Sequence, residues 1–428
     1  MAEILEIYRS LFKILLSYWW IITPVALFFI LKSLYTSYLF SEFIKSLKWM
    51  ILEIKFPQEA VKSPKAMEQF FHGLHATQKT LKFKDKYIKG EMFSPYFSVE
   101  LTGDSGEIHM YIRTLDKYRN LVESLVYSQY PEAEIFEADD YVLKMPAEIP
   151  SKDYDIWGTE LLLTQPDAYP IRTYPVFFEE REIEERNDPI AGLFEFLSSL
   201  SQDEHVWMQI LVNPTDDTWK KDGEKLVSKI MGREVKEDKK TGSLIIAETQ
   251  NWASEFTKGV IDFIMGQTGE IKEEEKKVND TMAYLSPGEK DVVLSVEKNI
   301  AKLGFKTIVR YMYWGHKDVF SKDKTASLGG FFKQFNTQNL NGFKPNKMIT
   351  PGYGKVFKKR REPGQKRFFI SWYKRRFFPF KKFEKRGFIF NTEELATIFH
   401  IPIKIVKGER IPRIEAKKGG PPASLPTV

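Results

Sequence analysis

The sequence predicts an α+β protein: an N-terminal transmembrane helix, then two ferredoxin-like α+β units, then a C-terminal basic hairpin plus helix. Three observations carry this reading. One charge-free apolar run lies near the N-terminus. Beyond it, the apolar periodicity switches repeatedly between strand and helix values, and Pro/Gly clusters punctuate the switches. With 428 residues, 43% of them hydrophobic, the chain is too apolar for a disordered polymer and long enough for several folded units. It has no cysteine, which removes structural disulfides, thiolate zinc sites and cysteine nucleophiles.

The anchor is expected within residues 1–48. ILLSYWWIITPVALFFIL, residues 14–31, carries no charge between Lys13 and Lys32. At ~1.5 Å per residue it gives about 27 Å of helix, close to the roughly 30 Å hydrocarbon thickness. Trp19, Trp20, Phe28 and Phe29 are its aromatic anchor residues, and Pro24 is a kink that membrane spans tolerate. A secretory signal would be followed by a small-residue cleavage site, but Lys32, Leu34, Tyr35 and Tyr38 come instead. Lys32, Lys45, Lys48 and Lys55 follow the run, while Arg9 and Lys13 precede it. That asymmetry favours a single pass through a bacterial inner or plasma membrane with a cytoplasmic C-terminal bulk.

The first unit, residues 49–150, opens with WMILEIKFP as a buried strand stopped by Pro57. Ser63-Pro64 starts a helix with Met67, Phe70, Phe71 and Leu74 along one face. YFSVEL and EIHMYIR, joined by Thr102–Gly106, form a hairpin. A helix with Tyr118, Leu121, Val122, Leu125 and Val126 inward follows, then the strand AEIFEA. The order β-α-β-β-α-β is the split unit of ferredoxin-like folds. The second unit, residues 151–340, uses the strand TELLLTQ, a helix opened by Asp188-Pro189, and the doubly covered strand HVWMQILVNP. Ser286 and Glu289 then make a capping box, and FKTIVRYMYW is the strand that follows. Residues 232–280 read as a charged, mobile insertion. Within it Trp252, Phe256, Val260, Phe263 and Ile264 share a helical face.

The local motifs offer no reaction, and no catalytic, cofactor or metal residue is assigned. His72 and His75 are three apart but lack a neighbouring third ligand. PGYGKV lacks the earlier glycine and the hydroxyl of a Walker A loop. Asp139-Asp140 and Asp216-Asp217 fall in turns, where Asp is favoured for local hydrogen bonding.

Residues 341–410 hold the strongest local charge. From Lys355 to Arg386, 14 Lys/Arg oppose Glu362 and Glu384, a net +12 in a chain of net +6. Lys358, Lys359, Arg360, Arg361, Arg375, Arg376, Lys381 and Lys382 are interleaved with aromatic rings. This mixture suits single-stranded nucleic acid, through phosphate contact and stacking, or an anionic membrane surface. An acidic protein partner fits as well. A structural hairpin around Phe378-Pro379, its rings turned into the core, would explain the same pattern without any ligand. Asn391 and Glu394 cap a helix whose stripe of Leu395, Ile398 and Phe399 would dock on a partner or on the body of the protein. Residues 411–428, rich in Pro and Gly, read as a linker.

Several stretches together resemble a known family: MILEIKFP with KSPKAMEQFFHGLHA, YSQYPEAEIFEADDY, QPDAYPIRTYP, DPIAGLFEFLSSLSQDEHVWMQILVNP, NTEELATIFHIP and KKGGPPASLP. They are similar to the membrane-proximal, non-motor region of type IV secretion and conjugative DNA-transfer ATPases of the HerA/FtsK superfamily. The likeness runs from about Met50 to Pro426. In that family the region leads into a P-loop motor, which this sequence does not contain, so no ATP chemistry carries over to any residue here. The resemblance implies a non-enzymatic membrane adaptor or scaffold that docks a separate P-loop ATPase. The alternative is a membrane-tethered protein that binds single-stranded nucleic acid.

Overall fold

The computed structural model describes residues 19–56, 62–91, 93–178, 188–233, 285–352, 358–379 and 386–402. All but the first two residues of the insertion expected at 232–280 lie outside these, as do Lys381, Lys382 and the tail 411–428. In chain order the elements are α1 (Trp19–Ser46), β1 (Trp49–Lys55), α2 (Lys65–Leu74), α3 (Phe83–Tyr87), β2 (Phe97–Asp104), β3 (Glu107–Leu115), α4 (Arg119–Gln129) and β4 (Glu134–Ala138). There follow β5 (Tyr154–Leu163), α5 (Tyr174–Phe178), α6 (Ala191–Ser198), β6 (Glu204–Pro214), α7 (Thr218–Ile230) and α8 (Pro287–Ile300). The last are β7 (Gly304–His316), α9 (Lys322–Lys333), β8 (Phe343–Pro345), α10 (Lys358–Lys374), β9 (Phe388–Asn391) and α11 (Thr392–Ile398).

The chain divides into two units. One comprises α1 with residues 80–94. Within α1, Leu27–Ser46 is long and apolar enough to cross a membrane. Trp20, Phe28 and Phe29 of the expected anchor are exposed on it, and Pro24 lies inside the helix.

The other unit is built on one antiparallel sheet in the order β4-β1-β3-β2-β6-β7-β5-β8, with β9 paired to the start of β7. The stretch β4-β1-β3-β2, with α2 and α4, is the ferredoxin-like split unit expected for residues 49–150. Its hairpin turns through Ser105 and Gly106, whose φ of 52° and 91° match the twist of the flanking strands. The order β8-β5-β7-β6, with α6 and α9, repeats the arrangement. In this second copy α7 and α8 replace the tight turn between its two middle strands. They pack Trp219, Val227, Val293, Val296 and Ile300 against each other, and Ser286 and Glu289 close the expected capping box. The copies meet through their second strands: Phe97–Asp104 pairs with residues 205–212. The boundary expected at residue 150 is therefore no break in the sheet.

Strand alternation sorts side chains to two faces. On one, Leu52, Val99, Ile112, Ile210 and Val309 meet Phe70 and Phe71 of α2, Val122 of α4, Phe194 of α6 and Phe332 of α9 in one core. On the other, Ile51, Tyr111, Trp207 and Met312 meet Phe369, Ile370 and Tyr373 of α10. The expected basic hairpin is thus corrected to a helix. Lys366, Phe369, Ile370 and Tyr373 recur at i, i+3, i+4 and i+7, and burying that stripe on the sheet outweighs the β-propensity of the aromatic run.

Candidate functional site

Four strands each bury a long polar side chain: Glu100 in β2, Gln209 in β6, Arg310 in β7 and Glu160 in β5. Strand register places them side by side. Glu53 lies opposite Tyr111, Tyr111 opposite Glu100, Glu100 opposite Gln209, Gln209 opposite Arg310, and Arg310 opposite Glu160. The result is one polar row across six strands, on the face that α10 covers. Gln209 Nε2 donates to Glu100 Oε1 at 3.3 Å, Arg310 Nη1 to Gln209 Oε1 at 3.3 Å, and Arg310 Nε to Glu160 Oε1 at 2.7 Å.

Two arginines beyond α10 complete the row. Arg376 holds Glu100 through Nε at 2.8 Å and Nη2 at 2.9 Å, and reaches Asp140 through Nη1 and Nη2 at 2.6 and 2.8 Å. Arg386 Nε donates to Glu160 Oε2 at 3.1 Å, and its Nη2 to Oε1. Glu100, Glu160 and Arg310 are fully enclosed. Burial alone would raise the Glu100 carboxyl, but the Arg376 charge and its hydrogen bonds outweigh it and the net shift is downward. Arg376 is correspondingly held well above its ordinary range, since the Glu100 charge overcomes its own desolvation. Tyr141 and Tyr373 add a buried hydroxyl contact at 3.1 Å between the sheet side and α10.

The end of α10 explains why arginine stands at 376. Phe377 N donates to Trp372 O at 3.0 Å and Arg376 N to Tyr373 O at 2.9 Å, the pair of bonds that closes a Schellman motif. The Phe377 and Trp372 rings, 5.4 Å apart, supply its apolar contact. Arg376 takes the left-handed position, φ 48°, where glycine is preferred. Its ion pairs offset that backbone cost.

These facts redistribute the expected binding residues. Arg376 is buried in the clamp and is withdrawn from any surface role. Arg360 and Arg361 are exposed on α10 with Arg367 and Phe368, and Arg375 and Phe377 are exposed just past its C-terminus. Lys358 and Lys359 lie in its first turn, and Lys381 and Lys382 lie outside the described residues. Trp372 is sandwiched, with Phe368 at 4.0 Å and the Arg386 guanidinium 3.4 Å from its ring centroid. Leu395, Ile398 and Phe399 are buried in the main core, which corrects their partner-docking role: α11 packs against α2 and presents this stripe to its own protein. Asn391 and Glu394 form the expected capping box.

Four of the six histidines have partners close by, while His72 is exposed. His109 Nδ1 is 2.7 Å from Glu53, His205 Nδ1 2.8 Å from Asp104, His400 Nε2 2.8 Å from Asp188, and His75 Nε2 3.1 Å from Thr215 O. Among the described residues, no three His, Asp or Glu side chains are grouped to hold a metal. The polar row was overlooked at the level of sequence; its available signal was a Glu, Gln or Arg in the middle of each of the four strands.

Fold and site together define a class: a doubled ferredoxin-like sheet carrying a clamped basic helix, preceded by one long apolar helix. The model of the family described as a domain of unknown function, DUF8128, matches residues 41–411, and the chain belongs to that family. No curated protein matches it.

Proposed function

We propose that the protein is a membrane-tethered, non-enzymatic scaffold of a type IV secretion-like or DNA-transfer assembly, docking a separate P-loop motor ATPase. One observation carries this reading: the buried carboxylates Glu100 and Glu160 are tied up in ion pairs with Arg376, Arg310 and Arg386 that fix α10 on the sheet, rather than left available for acid–base chemistry. Such an arrangement holds a surface in place rather than opening a reaction site. The apolar α1 helix would fix the platform to the inner or plasma membrane, with its bulk in the cytoplasm. The likeness to membrane-proximal regions of DNA-transfer ATPases supplies the class of partner. Mild extraction of the tagged full chain from native membranes should recover a P-loop ATPase. Repeated recovery of the chain alone would count against the scaffold role.

A second reading rests on the outer face of α10 and the residues just past its C-terminus. Arg360, Arg361, Arg367 and Arg375 with exposed Phe368 and Phe377 offer phosphate contacts and stacking surfaces for single-stranded nucleic acid. Under it, the full chain binds single strands with a steep salt dependence, and Arg360→Gln/Arg361→Gln/Arg375→Gln lowers the slope of log K against log salt by about 2. Salt-independent binding, or none, rejects it.

A further inference from the structure

The connection from α2 to β2 does not take the short path that a ferredoxin-like unit allows. Residues 80–94 instead run along α1. Lys32 Nζ sits 5.7 Å from the Tyr87 ring centroid. Gly90, at φ 71°, lies so close to the helix that an added Cβ would fall 2.5 Å from Leu39 O. Phe93 meets Phe40 and Phe43 at 6.2 and 5.3 Å. These contacts follow α1 from Lys32 to Phe43, roughly 16 Å of helix at ~1.5 Å per residue. They begin where the charge-free run 14–31 ends.

The chemistry of this stretch is that of a headgroup layer. Lys82, Lys84, Lys86 and Lys89 are its cations. Asp85 is turned inward, accepting the Lys82 N–H at 3.3 Å and the Lys89 ammonium at 2.9 Å. Lys82, Lys84 and Lys89 remain exposed, with Ile88 between them 60% exposed. On α1, Tyr35 and Tyr38 are exposed over the same span. Lysines around a protruding aliphatic side chain, beside tyrosines at the end of an apolar helix, match a surface with anionic groups above hydrocarbon.

We propose that residues 80–94, with the Lys32–Phe43 part of α1, form a seat for anionic phospholipid headgroups, into which Ile88 inserts. The proposal rests on the charge-free run 14–31 being the part that crosses the membrane, which leaves Lys32–Phe43 at the headgroup level rather than inside the hydrocarbon. The absence of native cysteine permits single labels in the otherwise unaltered full chain. Spin-labelled Phe28→Cys and Ile88→Cys proteins would be reconstituted in phosphatidylcholine vesicles with and without phosphatidylglycerol, and read by lipid-soluble and water-soluble relaxation agents. The Phe28→Cys label should be lipid-protected in both. The Ile88→Cys label should gain protection on adding phosphatidylglycerol, and should lose it in 0.5 M salt or in a Lys82→Glu/Lys84→Glu background, a change of about tenfold or more in partitioning. A lipid-protected label at 28 with a label at 88 indifferent to lipid charge overturns the seat alone. A water-exposed label at 28 overturns the seat and the membrane span together.

Discussion

Arg376 combines an unfavourable backbone angle with four hydrogen bonds to two carboxylates, and the sum can be tested. Arg376→Met leaves Glu100 uncompensated in a dry site, so chemical denaturation should show a loss of about 3–5 kcal/mol. Adding Glu100→Gln should return part of it, because the two side chains act as one unit. Glu394 is a second residue whose environment opposes its charge. Burial pushes its carboxyl from the ordinary 4.5 up to about 8, against backbone donors at Asn391 and Ile171. The folded state therefore keeps a proton that the unfolded chain has released. Its contribution to stability is full below pH 4.5 and is lost as pH rises to about 8. Stability measured across that window should decline in the native chain, and the decline should flatten in Glu394→Gln. By contrast, Arg360→Gln, Arg361→Gln and Arg375→Gln touch only exposed side chains on α10 and at its end. Each should leave stability within about 0.5 kcal/mol.

Among the elements, α10 shows most clearly how packing overrides local preference. Gly158 on β5 leaves room beneath its Phe369 ring: an added Cβ would lie 2.3 Å from Phe369 Cε1 and 2.9 Å from Met312 Cβ. Gly158→Ala should cost about 1–3 kcal/mol by overpacking, with a changed emission from Trp372 as the helix shifts. Trimming the ring with Phe369→Leu should reduce that penalty. The helical stripe at 366, 369, 370 and 373 was present in the sequence beside the β-forming aromatics. Choosing between them needed the partner surface. For α2, α8 and β7 no such choice arose: apolar periodicity decided all three, and in α8 the capping box agreed with it, whereas α2 starts after Pro64 with no side-chain cap. The docking stripe of α11 was read correctly as apolar and inward-facing. Only its address, the protein's own core, came from the structure.

At the scale of the molecule, the two ferredoxin-like copies share a seam. Strand β2 pairs with β6 along its whole length, and one core crosses between them. Residues 49–150 expressed alone would expose the β2 edge and the apolar face beside it. They should self-associate or aggregate, whereas a chain spanning 49–411 should not; size-exclusion chromatography with light scattering distinguishes these outcomes. The sequence by itself determined the apolar N-terminal helix, most strands and caps, the β-α-β-β-α-β order of the first unit and the concentration of charge after residue 355. These depend on neighbours within a few positions, where periodicity and capping act. Only the tertiary structure decided that the units merge into one sheet, that α10 is a helix, and that Glu100, Gln209, Arg310 and Glu160 stand in one row. Each of those outcomes joins residues more than 40 positions apart in the chain, and their relative register is fixed by strand pairing and burial, which local sequence does not encode.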